Sequence, residues 1–465
     1  MTNPNSAAAD ELWRAGYGTF GDAVVVLDDD PTGTQTVHDV RVYSDWEPET
    51  FKRAFSTGDD LFFVLTNSRS FSAEHTAEVH RQIAHRVAEA AREARRDFTI
   101  ISRGDSTLRG HYPLEDETLC ETLEAEFGVP IDGEVICPAF FEGGRYTVND
   151  VHYLRQGDKL VPVGDTEFAH DATFGYRASN LIDYVVEKSG GRVGAANCTS
   201  VTLEELRALD LDSITAKLVA CHDFGKIIVN AVDYTDLKVF ATCFARARAI
   251  GKRFICRSAA SLPKVLGNIS DRPLLMRTDV VDASHNAHGG LVVVGSHIKL
   301  STSQLERLCV ALPQLMYAEL DVHRLMEVSS HNEEIERLVG MCEDALSSGR
   351  TTVIYTTREL VAPEGFTKEQ KLALSVMVSQ GLTSIVARLE TRPRYLVAKG
   401  GITSSDIATK GLGIREALVL GQMSAGVPVW RALQGTRFPG LPYLIFPGNV
   451  GTEDTLRDVV AELEG

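Results

Sequence analysis

The chain reads AVVVLDDDPTGTQT over residues 23–36, where an apolar run leads directly into three carboxylates and a Thr-Gly turn. Consecutive apolar residues without polar alternation are typical of a strand covered on both faces, as in a parallel α/β sheet. Such sheets bind ligands beyond the carboxyl ends of their strands. Asp28, Asp29 and Asp30 therefore predict a metal or proton-transfer site at this sheet edge, and the alternative is a solvated acidic turn.

The overall composition is that of a globular protein with more than one domain. The chain has 465 residues, of which 44% are hydrophobic and 24% are charged, and this length suggests two or three domains. The net charge is 47 minus 64, or −17, which argues against a nucleic-acid partner and against an anionic membrane surface. An anionic small-molecule substrate would need a local cluster of arginine or lysine.

Neither the first residues nor the cysteines predict secretion or a metal centre. Residues 1–10 lack the basic start and apolar core of a secretory signal, and no stretch has the length and hydrophobicity of a membrane span. The eight cysteines are scattered, without a C-x-x-C pair or zinc-ligand spacing. We expect reduced core cysteines in a cytoplasmic protein.

Strand-length apolar runs alternate with helical stretches in both halves of the chain. Ser72 to Arg95 is the clearest predicted helix, with Ser72 as its N-cap. This alternation predicts an α/β protein with two α/β domains, largely parallel sheets and a ligand cleft between the domains. The Asp-, Asn-, His- and Gly-rich stretch from Pro263 to Gly290 is the predicted linker, which divides the chain into domains 1–275 and 276–465.

A second polar motif, SRGDSTLRGH at residues 102–111, directly follows the predicted strand at residues 98–101. Arg103 and Arg109 are candidates for binding a substrate carboxylate. Asp105 and His111 are candidate proton acceptors, and Ser106 and Thr107 can bond hydroxyl groups. This mixture suits a small polyhydroxy acid. The alternative is an Arg-Asp ion pair that holds the loop in place.

A third motif, CPAFFEGGRYT at residues 137–147, again follows a predicted strand. Its glycine pair, Gly143-Gly144, would let the backbone approach a ligand closely. Arg145 is the candidate substrate-binding residue of this motif, and a plain surface turn is the alternative.

Three glycine-containing turns follow predicted strands in the second half of the chain. Each could present backbone N–H groups to a phosphate, although capping also explains the Thr403 and Ser404 hydroxyls. A G-x-G-x-x-G match at residues 16–21 precedes its strand, and a P-loop motif is absent, so neither a dinucleotide fold nor a P-loop NTPase is predicted. The turns are Gly295-Ser296, Gly400-Gly401-Ile402-Thr403-Ser404 and Pro447-Gly448-Asn449-Val450-Gly451-Thr452.

Taken together, the ordered motifs resemble those of the four-carbon acid sugar kinases, over residues 24–460. The resemblance implies an N-terminal domain that binds the acid sugar, a C-terminal domain that binds ATP, and phosphorylation of the terminal hydroxyl of 3-oxo-tetronate, D-erythronate or threonate. By motif, the sugar site would include Asp29, Asp30, Arg103, Asp105 and Arg109. The nucleotide site would include Ser296, Gly400 to Thr403, and Gly448, with Gly295 and Asn449 in the same turns. The matching motifs are DDPTG (29–33), RGDSTLRG (103–110), PAF (138–140) with GRYT (144–147), GGIT (400–403) and GNVG (448–451).

For such a kinase we expect Arg103 and Arg109 to hold the substrate carboxylate. Asp105, or one of Asp29 and Asp30, would accept the hydroxyl proton, and the remaining carboxylates would help to hold Mg²⁺. Thr32 and Gly33 would line the same side of the acceptor-sugar site, and Asp28 would lie at its periphery. The tail Thr34-Gln35-Thr36 departs from the usual family pattern and is the expected place for a different substrate preference.

Two other classes of function remain open at this stage. A dehydrogenase or an aldolase-type lyase acting on sugar acids could use the same arginines and carboxylates, but it would leave the three glycine turns without a phosphate. A non-catalytic sugar-acid sensor would not need the aspartate cluster. A homodimer is one oligomeric state that the sequence leaves open.

Overall fold

The computed structural model of the chain describes residues 4–128, 130–282, 284, 287–359 and 368–465. The chain divides into two compact units. The N-terminal unit comprises residues 1–36 and 45–271, and the C-terminal unit comprises residues 37–44 and 272–465. Residues 283, 285 and 286 of the predicted linker lie outside the described residues. None of the described helices is long and apolar enough to cross a membrane, and all eight cysteines are free thiols.

The strands are, in chain order, β1 (Ala23–Asp28), β2 (Val40–Tyr43), β3 (Leu61–Leu65), β4 (Phe98–Arg103), β5 (Gly133–Cys137), β6 (Arg145–Val148), β7 (Val151–Gln156), β8 (Lys159–Pro162), β9 (Cys198–Val201), β10 (Gly225–Val229), β11 (Phe254–Ser258), β12 (Leu291–Val294), β13 (Met316–Leu320), β14 (Thr352–Thr356), β15 (Leu396–Lys399), β16 (Glu416–Ser424), β17 (Val427–Ala432) and β18 (Pro442–Phe446).

The helices are α1 (Ser6–Tyr17), α2 (Pro48–Ser56), α3 (Ala73–Ala94), α4 (Leu114–Phe127), α5 (Leu181–Lys188), α6 (Leu203–Ala208), α7 (Leu211–Ala220), α8 (Tyr234–Ala249), α9 (Ser261–Leu266), α10 (Arg277–Val280), α11 (Lys299–Ala311), α12 (Val322–Met326), α13 (His331–Ser347), α14 (Lys368–Arg388), α15 (Gly401–Asp406) and α16 (Thr455–Glu464).

The N-terminal unit is built on a parallel sheet in the order β3-β1-β4-β11-β5-β10-β9. All residues of β1, β3, β4 and β5 are buried, as expected for strands covered on both faces. The last residue of β1, Asp28, pairs with Leu65 of β3 and with Arg103 of β4. The carboxyl ends of three neighbouring strands therefore meet at one sheet edge. A small antiparallel sheet, β6-β7-β8, belongs to the same unit.

The C-terminal unit has a mixed sheet. Its parallel part runs in the order β13-β14-β12-β15-β18, and β17, β16 and β2 continue it with antiparallel pairing. Strand β2 comes from residues 37–44, so this unit takes in an early piece of the chain. The division predicted from sequence, 1–275 and 276–465, is continuous and places that piece in the first domain. The predicted α/β class with largely parallel sheets is confirmed.

Helix α3 illustrates how local sequence defines the elements. The Ser72 side chain accepts a hydrogen bond from the His75 amide at 3.3 Å, so the predicted N-cap is confirmed. The helix buries Val79, Ile83 and Val87, and the spacing of these residues gives it an apolar stripe along one face. The sheet strands and their covering helices thus position the polar loops that follow β1, β3 and β4.

Candidate functional site

The first cluster of the N-terminal unit is a buried ion pair between two strand ends. Arg103 Nη1 lies 3.1 Å from Asp28 Oδ1 and 3.8 Å from Asp29 Oδ1. The side chains of Arg103 and Asp28 are 4% and 3% exposed. In this arrangement Arg103, predicted to bind a substrate carboxylate, already pairs with two carboxylates of the protein.

Asp28 lies beneath the Thr-Gly turn instead of at its periphery. A Cβ atom at Gly33 would lie 2.0 Å from Asp28 Oδ2, so only glycine fits over this carboxylate. Burial raises the pKa of Asp28 to about 7, although the charge of Arg103 opposes the shift. The motif therefore requires glycine at position 33 because of close packing against a buried carboxylate.

Arg69 is a further charged residue at the sheet edge that carries Asp29 and Asp30, and it was not predicted from the sequence. It lies on a short 3₁₀ turn, Ser68–Ser70, that follows β3. Its Nε and Nη2 donate to the two oxygens of Asp29 at 3.1 and 2.6 Å, and its Nη1 lies 3.6 Å from Asp30. The position directly after a predicted strand is the signal that could have identified it.

Asp30 and Thr32 form the exposed part of the first motif. Asp30 Oδ1 accepts a hydrogen bond from the Thr32 amide at 2.8 Å. Burial alone would raise the pKa of Asp30, but Arg69 and the Thr32 bonds outweigh it and lower the pKa. The Asp30 side chain is 23% exposed, against 3% for Asp29, so Asp30 is the more accessible of the two.

The observed donors do not form a resident metal site. Both oxygens of Asp29 accept hydrogen bonds from Arg69, which is the arrangement of a closed ion pair. The described residues contain no cluster of three or more His, Cys, Asp or Glu side chains placed to hold a metal ion. Direct ligation of Mg²⁺ by Asp29 does not fit this geometry. Of the two predicted metal ligands, Asp30 has the more accessible carboxylate.

Asp105 lies in the loop after β4, where Arg109 holds it. Arg109 Nε donates to Asp105 Oδ2 at 2.7 Å, and the Thr107 hydroxyl donates to the same oxygen. Burial alone would raise the pKa of Asp105, but the charges of Arg69 and Arg109 outweigh it and hold the pKa well below its usual range. Asp105 is thus an ionised acceptor, and its side chain is 13% exposed.

The other predicted residues of this loop, Ser106 and His111, also make contacts within the protein. Ser106 is buried, and its carbonyl accepts a hydrogen bond from His152 Nε2 at 2.9 Å. His111 Nε2 lies 3.1 Å from the Phe71 carbonyl oxygen, and its ring packs against Phe174. These contacts shape the loop around Asp105.

Arg145 differs from the arginines described above because it makes no ion pair with a carboxylate among the described residues. Its Nη1 donates to the Gly143 carbonyl, and its guanidinium lies 5.7 Å from the centre of the Phe140 ring. Its Nε is buried without a hydrogen-bond partner among the residues that the structure describes. Burial lowers the pKa of Arg145, and the charges of Asp105 and Arg109 also act on it. Arg145 is therefore a cation near Asp105 that is available to an anion.

The tail of the first motif is packed into the protein. Thr34, Gln35 and Thr36 are all buried, and the Thr36 hydroxyl donates to the Ala260 carbonyl at 2.7 Å. A role for this tail in substrate choice would therefore act through the position of the loop.

In the C-terminal unit, the three predicted glycine turns meet. A Cβ atom at Gly295 would lie 2.1 Å from Thr403 Oγ1, and a Cβ atom at Gly448 would lie 2.9 Å from Ser296 Oγ. Gly400 has a φ of 122° and packs against both Ser296 and Thr403. The turns after β12, β15 and β18 thus form one cluster at the carboxyl edge of the parallel strands.

Some amides of these turns are engaged within the protein. The Gly295 and Ser296 amides donate to the Lys399 carbonyl at 3.1 and 3.3 Å, and the Gly400 amide donates to the Phe446 carbonyl at 2.9 Å. By contrast, Gly401 to Thr403 form the first turn of α15, where amides have no intrahelical acceptor. The Gly401, Ile402 and Thr403 amides are therefore donors that the helix itself does not use.

A cavity of ≈ 340 Å³ adjoins this cluster. Its polar wall contains Gly295, Ser296, Gly400, Gly401 and Thr403, whereas Gly448 and Asn449 are not among the described residues that line it. His297, which sequence reasoning missed, also lines it. The apolar wall comes from α12, α14 and α15 and consists of Val322, Leu374, Val378, Leu382 and Ile402. An apolar wall facing a polar turn suits a ligand with a flat apolar part and an anionic part.

Comparisons with known proteins assign a role to each unit. Residues 24–266 match the family model of a sugar-binding N-terminal domain, and residues 291–456 match that of a nucleotide-binding C-terminal domain. A protein named D-erythronate kinase from Heliobacterium modesticaldum is 24% identical over 457 residues, which is 93% of this chain and 94% of the relative.

Solved structures share the fold. A protein from Salmonella typhimurium LT2 has a TM-score of 0.68 at 16% identity, covering 94% of this chain and 98% of its own. A Haemophilus influenzae protein has a TM-score of 0.62 at 17% identity, covering 94% of this chain and 100% of its own. The domain matches span most of the chain, in the order that the motifs predict. The chain belongs to the four-carbon acid sugar kinase family, with a sugar-binding domain followed by a nucleotide-binding domain.

Proposed function

We propose that this protein transfers the γ-phosphoryl group of ATP to the terminal hydroxyl of a four-carbon acid sugar of the D-erythronate type. The observation that carries the proposal is the relative named D-erythronate kinase, which aligns with 93% of the chain. The carboxylate and arginine loops of the N-terminal unit and the glycine turns of the C-terminal unit both fall within the matched domains.

Arg145 would hold the carboxylate of the acid sugar. It makes no ion pair among the described residues, whereas Arg103 pairs with Asp28 and Arg109 pairs with Asp105. A guanidinium without an internal counter-ion is better placed to bind an incoming carboxylate than one that must first break an ion pair. We assign Arg103 a supporting role beneath the site and Arg109 a role in positioning Asp105.

Asp105 would orient the receiving hydroxyl and accept its proton. Phosphoryl transfer has a loose transition state, so that alignment of the acceptor and neutralisation of charge contribute most of the catalysis. Only one oxygen of Asp105, Oδ2, accepts the bonds of Thr107 and Arg109, which leaves Oδ1 for the substrate hydroxyl. Asp30, the accessible carboxylate across the edge, is the second candidate.

ATP would bind in the cavity of the C-terminal unit. The base would lie against the apolar wall, with the phosphates near the amides of Gly401, Ile402 and Thr403. Mg²⁺ would enter with ATP as part of the substrate, since phosphate oxygens and water supply most of its ligands in kinases.

The direct test is incubation with ATP, Mg²⁺ and a panel containing D-erythronate, both threonate enantiomers and 3-oxo-tetronate, with ADP release as the readout. A kinase releases ADP in proportion to the phosphorylated acid, which mass spectrometry identifies. A dehydrogenase or an aldolase-type lyase would consume the acid without ATP, and a sensor would bind it without turnover. Absence of acid-dependent ADP release across the panel would refute the proposal.

Arg145→Met should weaken binding of the acid sugar. A hydrogen bond to a charged group contributes about 1.5–3 kcal/mol, so we expect KM for the acid to rise roughly 10- to 100-fold. KM for ATP should change little, because Arg145 belongs to the N-terminal unit. Arg192→Met is a matched control: this arginine is 62% exposed and pairs with Glu117 on the surface. An unchanged KM for the acid would remove Arg145 from the acceptor site.

Gly295→Ala should impair ATP binding. The added Cβ would lie 2.1 Å from Thr403 Oγ1, and overpacking of this kind typically costs about 1–3 kcal/mol. We therefore expect the Kd for ATP, measured by calorimetry, to rise about tenfold or more. Gly340→Ala is the control, since a Cβ there would meet no atom within 4 Å. Equal ATP affinity in both variants would show that the turn cluster does not shape the nucleotide site.

A further inference from the structure

Lys399, the last residue of β15, is a buried lysine beneath the glycine turns. Its side chain is fully buried, and its Nζ donates to the Pro447 and Gly448 carbonyls at 3.1 and 3.4 Å. The Nζ also lies 4.0 Å from the centre of the Phe446 ring. The Gly448 carbonyl accepts a further bond from the Ser301 hydroxyl, which contacts Ser296 Oγ. Lys399 therefore supports the turn after β18 from below.

Arg358 supports the neighbouring turn in the same way. It follows β14, which pairs with β12, so that it lies beside the Gly295-Ser296 turn. Its Nη2 donates to the Ser296 carbonyl and to Thr302 Oγ1, each at 2.7 Å. Its Nε and Nη1 are buried and have no hydrogen-bond partner among the described residues. Arg358 thus retains unused donors behind the turn.

The buried Lys399 and the partly buried Arg358 differ in their partners from Arg394, a buried cation of the same unit. Arg394 pairs with Glu464 at 2.6 Å. Within the described part of the chain, Lys399 and Arg358 make no ion pair, and their polar contacts are to carbonyl and hydroxyl oxygens. Burial lowers the pKa of Lys399 to about 7, and burial also lowers the pKa of Arg358.

A buried cation without a counter-ion is unfavourable, because it loses hydration without gaining an ion pair. Both cations lie beside turns that line the cavity. The Lys399 carbonyl accepts hydrogen bonds from the Gly295 and Ser296 amides, and Arg358 donates to the Ser296 carbonyl. An anion in front of those turns would interact with both charges across a water-poor region, where electrostatic interactions are strong. The affinity of the site for a ligand would then increase with the number of negative charges on that ligand.

We propose that Lys399 and Arg358 are positioning residues that hold the phosphate-facing turns and supply the positive charge by which the site selects nucleotides with more phosphate groups. The inference rests on one part of the proposed function, namely that ATP binds in this cavity. Neither side chain contacts the ligand, and both act through the backbone of the turns and through their charge.

The test is calorimetric binding of ATP, ADP and adenosine to the wild-type protein, Lys399→Met and Arg358→Met. We expect wild-type affinity to fall from ATP to ADP to adenosine. Each variant should lose at least about tenfold in ATP affinity while adenosine affinity stays within about threefold. Arg358→Lys should recover much of the preference for ATP, since it keeps the charge.

Arg394→Met is the matched control, because it also removes a buried cation from the C-terminal unit, but one that has an acidic partner. It should lose thermal stability and keep the preference for ATP. If Lys399→Met does not fold, Arg358→Met and Arg358→Lys still decide the outcome. Equal losses for ATP and adenosine, or unchanged ATP affinity, would overturn the inference. Failure of the wild-type protein to bind ATP would instead overturn the proposed function, and the inference with it.

Proton uptake provides a readout that a purely structural role would not change. At pH 8 a lysine with a pKa near 7 is largely neutral, and a bound polyphosphate would favour its charged form. ATP binding should therefore take up protons, measured as heats that depend on the ionisation enthalpy of the buffer. His297 and Glu359, which line the cavity, and Arg358 are further ionisable groups near these turns. Lys399→Met removes the lysine's contribution to the proton uptake. An uptake in that variant equal to the wild-type uptake would contradict the proposed role of Lys399.

Discussion

Asp105→Asn is expected to lower kcat by about 10²- to 10⁴-fold, which is the usual contribution of a positioned proton acceptor. The substitution preserves size but removes the charge that Arg109 and Thr107 hold in place. The Kd for ATP should stay within about threefold, since Asp105 lies in the N-terminal unit. Steady-state kinetics with saturating acid and ATP, together with calorimetric ATP binding, separate the two effects.

The control for this variant is Asp183→Asn, an exposed aspartate in α5 of the same unit. It should retain the parent kcat. Because the pKa of Asp105 is held well below its usual range, Asp105 stays ionised at neutral pH and should not itself cause kcat to fall between pH 8 and pH 6. A kcat within about tenfold of the parent would assign proton acceptance elsewhere, with Asp30 as the next candidate.

Arg103→Met is expected to lower the free energy of unfolding by about 3–5 kcal/mol at pH 8, as is usual when one partner of a buried ion pair is removed. The variant would leave Asp28 and Asp29 buried and, at that pH, without the Arg103 charge that offsets their burial. Urea unfolding followed by intrinsic fluorescence measures the loss. Arg192→Met, which removes an exposed partner of Glu117, should stay within about 0.5 kcal/mol of the parent.

The deficit of Arg103→Met should shrink as the pH is lowered. Burial raises the pKa of Asp28 to about 7, so folded Asp28 binds its proton more tightly than unfolded Asp28. Its contribution to stability is present below about pH 4 and is lost as the pH rises through 7. Without Arg103 that pKa rises further, and at pH 5 a protonated Asp28 no longer needs a counter-ion. The same deficit at pH 5 and pH 8 would exclude this ion pair as its cause.

The fold and the location of both candidate sites could be predicted from local pattern. The buried runs at β1 and β4 and the strand-following motifs predicted a parallel sheet with ligands at its carboxyl edge. The three glycine turns after β12, β15 and β18 were predicted as phosphate sites, and they do meet in one cluster. Apolar runs, helix caps and glycine turns depend on residues that are neighbours in sequence. These features can therefore be predicted from the sequence.

The partners of each charged side chain could not be predicted in this way. Sequence alone placed Arg103 and Arg109 at the substrate carboxylate and Asp28 at the periphery. The structure pairs Arg103 with Asp28 and Arg109 with Asp105, and it brings Arg69 onto Asp29 from a different strand. A motif shows that arginines and aspartates share an edge, but contacts between residues far apart in sequence decide which of them neutralise each other.

The sequence by itself therefore determined the α/β class, the order of a sugar-binding and a nucleotide-binding domain, and the loops that carry chemistry. Only the tertiary structure decided which charges are paired inside the protein, as at Arg103 and Arg109, and which make no ion pair among the described residues, as at Arg145, Lys399 and Arg358. The physical reason is that periodicity and turn propensity are local properties of the chain. The availability of a charge depends on its burial and on its counter-ions, which only the folded chain defines.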